Sequence, residues 1–419
     1  MVKGYSIFSI LRHAANPSKP WPEAWRKAEP KSNYDMIIIG GGGHGLATAY
    51  YLAKNHGVKN IAVLEKTYIG SGNVGRNTTI IRSNYMRGTN TAFFEKSLQM
   101  WEGLSHELGF NLMVSQRGQM VLGVSPSQMD GLARRGNIMR LNGIDAELFD
   151  RKDVEKEIPY LDYSKEARFP IWGGLLQRRA GTVRHDAVAW GYARAASALG
   201  VDIIENCEVT AILKTGNRVT GVQTSRGKIL SEKIGIAVAG HTSQVAAMAG
   251  LKLPVESHLL QGFVTEPVKP MVHHVITWGA ELFYLSQSDK GGMVFGGHID
   301  GFNDYTQRGQ YTKVKEIMEC AVTLIPFMAR LRLLRHWAGI QDMTPDGSPF
   351  ICTTPVDGLF LNGGWCYQGF KATPASGLTF AHTMATGAPH ALNTGYELDR
   401  HMRGDTFDEY GIGLKAYRQ

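Results

Sequence analysis

Three glycines and one acid carry the first legible chemistry. In Met36-Ile-Ile-Ile-Gly-Gly-Gly-Gly-His-Gly45 an apolar run meets glycines at 40, 42 and 45, the G-x-G-x-x-G spacing. Gly40 permits a tight strand-to-helix turn, Gly42 lets the backbone approach a pyrophosphate, and Gly45 lets helix and strand pack closely. A helix starting there offers unpaired N–H groups and partial positive charge to phosphates. Glu65 ends a second apolar stretch about twenty residues on, where a carboxylate suits a ribose hydroxyl. The chemistry is dinucleotide recognition, and the loop by itself does not choose between a nicotinamide and a flavin dinucleotide. Other reactive residue types lack a pattern that uses them. Ser, His and Asp occur without a G-x-S-x-G nucleophile elbow. His273-His274 has no further ligands at suitable spacing, so no metal is expected. His185, in Gly181-Thr-Val-Arg-His185, stands just before a helical pattern; on its own it or Asp186 reads as a helix-capping residue.

The elements that must position these residues follow from periodicity. Residues 34–65 form a βαβ unit, its helix marked by Leu46, Ala49, Tyr50, Leu52 and Ala53. Helices are expected over 91–108, within 127–157 and over 186–199; strands over 116–124, 201–212 and 218–225, the last after a Gly216-Asn217 turn. A buried strand over 234–240 runs into a glycine turn. Residues 258–300 are strand-rich and 311–325 helical, and 337–385 returns to Gly-rich strand and turn before a helix from about Thr373. The nucleotide elements are thus interrupted by strand-rich insertions, with no separate domain after them. The expected fold is α/β: a Rossmann-like dinucleotide-binding domain with an interleaved substrate domain built on a mixed, largely antiparallel sheet. The first is expected over 34–115, 180–257 and 335–400, the second over 116–179 and 258–334. Residues 1–33, with Pro17, Pro20, Trp21, Pro22 and Trp25, read as an irregular arm docked on some surface, and 401–419 as a tail.

The 419 residues suffice for a large core. With 43% hydrophobic and 20% charged residues the composition is that of an ordinary soluble protein. No apolar run reaches membrane-spanning length. The short apolar stretch at 5–11 is cut off by Arg12 and His13, so no signal peptide is read. Cysteines at 207, 320, 352 and 366 show no framework, and a reducing cytoplasm is the expected compartment. The net charge of +8 is spread out, with only short clusters such as Arg330-Leu-Arg-Leu-Leu-Arg335. Nucleic acid is therefore not an expected partner; an anionic cofactor or substrate, or an acidic partner subunit, accounts for the charge.

Distant segments narrow the reading. The βαβ unit is joined by Ala237-Val-Ala-Gly-His-Thr-Ser243, by Trp337-Ala-Gly-Ile-Gln-Asp-Met-Thr-Pro-Asp-Gly-Ser-Pro349, and by Gly358-Leu-Phe-Leu-Asn-Gly-Gly-Trp-Cys-Tyr-Gln-Gly-Phe-Lys-Ala-Thr-Pro374. In this order they resemble the FAD-dependent amine oxidases of the D-amino-acid oxidase and sarcosine oxidase superfamily, and within it the β subunits of heterotetrameric sarcosine oxidases, over most of the chain. Gly40–Gly45, Arg82, His185 and Gly369–Lys371 are the most specific points. The late segment also makes sense beside a flavin. Glycines 363, 364 and 369 allow backbone close to an isoalloxazine ring, and the helix after them aims its N-terminal dipole at the ring's anionic edge.

The resemblance implies noncovalent FAD, a second flavin (FMN) bound covalently through His185, and alpha, gamma and delta partner subunits. It implies cofactor contacts from Gly40, Gly42, Gly43, His44 and Gly45, from Glu65, Lys66, Asn77, Thr78 and Thr79, and from Val209, Ala239, Gly240, Gly364, Gly369, Phe370 and Lys371. Related monomeric oxidases place a carboxylate-binding lysine at the Lys371 position and its companion arginine at Arg82. A planar guanidinium fork with a point charge suits a substrate carboxylate. Tyr284 is expected in an apolar wall around the methylamine. Where the relatives attach FAD through a cysteine this chain has Gly339. Where they carry a lysine under the flavin it has Val294, with His298 retained nearby, which fits oxygen reduction at FMN instead of FAD. The implied reaction is oxidative demethylation of sarcosine at FAD, with electrons passed to FMN and then to O2, giving H2O2, and the one-carbon unit captured by tetrahydrofolate on a partner. Alternatives are a flavin dehydrogenase of dimethylglycine or proline, and a non-catalytic flavin-binding scaffold subunit. A nicotinamide dehydrogenase is disfavoured by the C-terminal flavin motifs.

Overall fold

The computed structural model of the chain describes residues 6–18, 23–279, 282–407 and 409. Trp21, Pro20 and Pro22 of the arm, and most of the tail, lie outside the described residues.

Three short apolar runs form the parallel heart of a six-stranded sheet. Met36–Ile39 pairs with Ile61–Leu64 on one side and Ile234–Ile236 on the other, with Ile38 opposite Val63 and Ile37 opposite Ile234. Leu359–Gly363 and Asp202–Ile204 extend it in parallel, and Phe350–Thr353 closes one edge antiparallel. The Met36–Ile39 and Ile61–Leu64 strands are buried throughout, the pattern of a parallel sheet covered on both faces. One cover is a pair of packed helices, Gly43–His56 and Gly369–Thr386. At their crossing a Cβ on Gly377 would lie 2.4 Å from the Cβ of Ala47, so only glycine permits this approach. The contact brings both helix N-termini to the same end of the sheet.

The second layer is an eight-stranded sheet, antiparallel except where Val275–Trp278 runs parallel to Gln119–Gly123. This is the mixed, largely antiparallel sheet expected. Its edge strand, Leu333–Met343, overlaps the start of the 335–400 stretch expected in the FAD-binding domain. Ten register pairs to Glu256–Pro267 hold it in the large sheet instead. The stretch read as one strand over 201–212 divides: Asp202–Ile204 joins the parallel sheet, while Val209–Thr215 starts a separate three-stranded meander. The late helix begins at Gly369, one turn before Thr373, and carries Pro374 inside its first turns. No helix among the described residues is long and apolar enough to cross a membrane.

The arm departs from the irregular reading. Ile7–Ala15 is a helix whose N-cap Ser6 accepts a hydrogen bond from the Ser9 N–H. Further on, Trp25 packs against the chain's own core. Buried Asp202 gathers Arg26, Lys31 (2.8 Å) and the Tyr34 hydroxyl (3.0 Å). Residues 23–34 are thus tied down on this chain's own surface.

Candidate functional site

A cavity of about 690 Å³ opens at the glycine turn and runs between the two sheets, a size typical of small-molecule sites. Gly40 makes the turn with φ +111°, and a Cβ there would sit 2.3 Å from the Ala237 carbonyl oxygen. No side chain can replace it without moving backbone. Gly42 faces open space. Glu65 closes this end: it accepts hydrogen bonds from the Gly41 N–H (2.8 Å) and the Thr67 N–H (3.0 Å). Beside it, Lys66 and the stacked pair His241–Tyr305 form a rim.

Of the residues singled out from sequence, Gly40, Gly42, Gly43, His44, Glu65, Lys66, Asn77, Thr78, Arg82, Val209, Ala239, Gly240, Tyr284, Gly369, Phe370 and Lys371 all line this one cavity. Gly42–His44 and Gly369–Lys371 meet there from opposite ends of the chain because the two helix N-termini converge, and the middle of the chain adds the rest. Five others do not line it. Gly45 lies behind the turn, where a Cβ would meet the Gly40 carbonyl oxygen at 2.0 Å. Thr79, at φ +73°, spends its backbone on Asn77 and Val183. Gly364 makes a turn at φ +74°, its N–H donating to Asp342. His185 starts the helix His185–Ala198 and stands behind the turn Asn73–Arg76: its ring bonds the Gly75 backbone, while Asn73, Val74 and Arg76 face the cavity.

His298 is the largest correction. It is the extra residue of a β-bulge: Leu260 pairs with Ile299 and Gln261 with Gly297, so His298 falls between two register positions. With φ +42° it turns away from the cavity toward the helix Tyr311–Leu324, where Glu316 and Cys320 receive it. Two-residue alternation would have kept it on the Tyr284 face, and the bulge reverses that.

At the far end the cavity holds two cations. Lys371 is 7% exposed and its Nζ donates to the Tyr367 carbonyl at 2.6 Å. Burial, and then the charge of Arg82, pull its pKa well below the ordinary lysine value. Arg82 donates to the Asn84 side-chain oxygen and lies over the Tyr85 ring at 4.7 Å. Both are thus held by neutral groups. Two like charges sharing a desolvated wall favour an anion between them. Tyr284 completes the wall; burial raises its hydroxyl pKa to about 12, opposed by a hydrogen bond from Thr78. Its ring fits because Gly296, paired with it across the sheet, has no Cβ; one would lie 2.5 Å from the Tyr284 oxygen.

Between the two ends His44 organises a buried relay. Trp365 Nε1–H donates to Asn362 Oδ1 (2.8 Å), Asn362 Nδ2–H donates to Ser376 Oγ (2.8 Å), and His44 Nδ1 lies 2.6 Å from Ser376 Oγ. Since Ser376 accepts from Asn362, its hydroxyl hydrogen is directed to His44 Nδ1. The other imidazole nitrogen then serves the Gly369 backbone. Burial lowers the His44 pKa to about 4, and Trp365 stacks on the ring at 4.6 Å. One neutral imidazole thereby ties the phosphate-end helix to the start of the Gly369–Thr386 helix. Sequence reading singled out His44 but missed Ser376 and Asn362, whose spacing carries no signal. Among the described residues no group of three or more His, Cys, Asp or Glu side chains is arranged to hold a metal.

The fit to a flavin dinucleotide is local and specific. A turn that excludes any Cβ, an open glycine after it and a ribose-end carboxylate share a cavity with a glycine-started helix and an anion-seeking wall. A family model described as FAD dependent oxidoreductase matches residues 35–383. Sarcosine oxidase subunit beta of Rhizobium meliloti (strain 1021) is 59% identical over 411 residues, 98% of this chain and 99% of that one. The subunit of the same name from Rhodobacter capsulatus is 47% identical over 97% of this chain and 98% of that one. Among solved structures, L-proline dehydrogenase from P.horikoshii superposes with a TM-score of 0.83 at 27% identity, covering 90% of this chain and 99% of that one.

Proposed function

Because the chain belongs to the FAD-dependent oxidoreductase family, it is a flavoenzyme, and we propose that it oxidises sarcosine as the catalytic subunit of a larger assembly. The observation that carries the substrate class is the Arg82–Lys371 wall, a buried lysine beside a half-buried arginine, each held by neutral groups among the described residues. A substrate carboxylate seated there gains charge-assisted hydrogen bonds and is fixed in orientation. Tyr284 borders the space left for the amine and its methyl group. The same cations disfavour a protonated amine, so bound substrate is biased toward the neutral form that can be oxidised. Bound FAD would supply the two-electron acceptor, held by Gly40–Gly45, Glu65 and the Gly369–Thr386 helix.

The complete reaction in this proposal takes two electrons and two hydrogens from sarcosine, leaving an imine, and delivers them to O2 as H2O2. The one-carbon unit is captured by tetrahydrofolate on a partner subunit, in an assembly with alpha, gamma and delta chains. FMN is held covalently on His185. Supporting this, His185 Nδ1 is buried without a hydrogen-bond partner, and burial holds the imidazole below its ordinary pKa, as a neutral nucleophile. A cytoplasmic setting suits four buried cysteine thiols.

The test is spectroscopic. The purified assembly should bleach when sarcosine is added anaerobically, and this chain should stay yellow after acid denaturation. No bleaching would make the chain a scaffold; a colourless denatured chain would remove FMN from His185. The likeness to L-proline dehydrogenase keeps proline as a second candidate, and parallel bleaching rates with sarcosine, dimethylglycine and proline rank them.

A further inference from the structure

The bulge that removes His298 from the cavity builds a second reactive arrangement on the outer face of the large sheet. Cys320 Sγ lies 3.7 Å from His298 Nε2, and Glu316 Oε2 lies 3.2 Å from His298 Nδ1. Glu316 and Cys320 are four residues apart, so one face of the Tyr311–Leu324 helix presents both to a single imidazole. The ionised carboxylate takes the Nδ1–H, leaving the Nε2 lone pair toward the thiol, the nucleophile–base–orienter order of activated nucleophiles. Lys313 Nζ lies 2.7 Å from the same Glu316 oxygen and helps hold the carboxylate in place. The His298 backbone is also strained, a feature that gathers at working sites. Exposure rises along the line, from 7% at Cys320 through 16% at the His298 side chain to 40% at Glu316, so a small solute can reach it. The other cysteines differ. Burial pushes Cys352 and Cys366 up to about 12, and Cys207 is fully enclosed.

We propose that Cys320 is a modification site, a thiol activated by the His298–Glu316 pair and oxidised by hydroperoxides to a sulfenic acid. The imidazole takes the thiol proton and the sulfur attacks one peroxide oxygen. The S–O bond forms as the O–O bond breaks, sulfur is oxidised by two electrons, and the departing hydroxide recovers the proton as water. The net change is thiol plus H2O2 to sulfenic acid plus water. The oxidase reaction proposed above would supply peroxide locally, but the thiol chemistry stands without it.

The experiment therefore adds hydrogen peroxide to the purified full-length chain in its assembly, without sarcosine. A 1,3-dione traps sulfenic acid, and peptide mass mapping reads all four cysteines. Cys320 should be trapped at least about tenfold faster than Cys352 or Cys366, as expected for a higher thiolate fraction. His298→Gln should remove that advantage, and Glu316→Gln should reduce it, with flavin content and melting temperature checking that each variant is folded. Should His298→Gln fail to fold, the pH profile of Cys320 alkylation by iodoacetamide in the unaltered protein decides. A midpoint below the ordinary thiol value of about 8.5 supports the proposal. Equal trapping of the cysteines, an undiminished rate in folded His298→Gln, or an ordinary alkylation midpoint overturns it. None of these outcomes bears on the sarcosine reaction.

Discussion

Lys371→Met tests the anion wall from two directions at once. The lysine is buried, donates only to the Tyr367 carbonyl, and has its pKa held well down by burial and by Arg82. Its folded pKa is therefore below its unfolded value. Between the two the unfolded chain binds the additional proton, so stability rises with pH across that window and burial of the charge costs stability below it. Methionine keeps the volume and removes that cost. Chain stripped of FAD should melt higher as Lys371→Met than as wild type at neutral pH. Catalysis should move the other way. A substrate carboxylate loses one charge-assisted hydrogen bond, about 1.5–3 kcal/mol, or roughly 10- to 150-fold in kcat/KM. Carried mostly by KM, this loss would report binding of the carboxylate rather than chemistry. Wild-type affinity for carboxylates should also fall as pH rises through the lowered Lys371 pKa, and this upper-pH limb should vanish in the variant. The assays are steady-state kinetics across pH, acetate titration read by flavin absorbance, and thermal melting. Unchanged kcat/KM with the upper-pH limb intact would refute the carboxylate assignment; a lower melting temperature would refute the account of the buried charge.

Three further outcomes follow from particular contacts. Gly40→Ala puts a Cβ 2.3 Å from the Ala237 carbonyl at φ +111°, and strain of about 1–3 kcal/mol should appear as lost flavin in the purified protein. His44 has its pKa lowered to about 4, so the unfolded chain binds more protons between about 4 and 6.5 and stability falls as pH drops through that window; His44→Asn should flatten this acid limb, on the order of 2–3 kcal/mol by melting across pH, and weaken FAD retention. Asp346 receives two 2.9 Å hydrogen bonds from fully buried Arg400; burial alone raises its pKa, but Arg400 outweighs this and holds it low, so its stabilisation is present above the unfolded carboxylate value and lost as pH falls through the folded one. Asp346→Asn leaves a buried guanidinium short of its anion and should cost about 3–5 kcal/mol in denaturant unfolding at pH 7.

The parts legible in sequence are those whose physics is local. The turn at Gly40, the helix after it and the acid at Glu65 lie within one βαβ unit, and spacing alone places them. The mixed large sheet was likewise readable from strand-rich insertions. The pairing of Arg82 with Lys371 was not local: it came from resemblance, and the structure supplies its physical reason, the strand Ile80–Ile81 just before Arg82 packed against the Gly369–Thr386 helix that carries Lys371. The helix expected from about Thr373 starts one turn earlier, because packing continues it back to Gly369.

His298 marks the limit most clearly. Its neighbours follow strand alternation, which assigns it to the cavity face, and no residue in Gly292-Met-Val-Phe-Gly-Gly-His298 announces a bulge beyond two glycines. Only pairing with Glu256–Pro267 inserts the extra residue and reverses the side chain, joining it to Glu316 and Cys320. The sequence by itself determined that this chain binds a dinucleotide, because strand, turn and helix there are set by neighbouring residues. Only the tertiary structure decided which distant cations share a wall, what holds His44, and which histidine faces the cavity, because register and helix crossing depend on residues far apart in the chain.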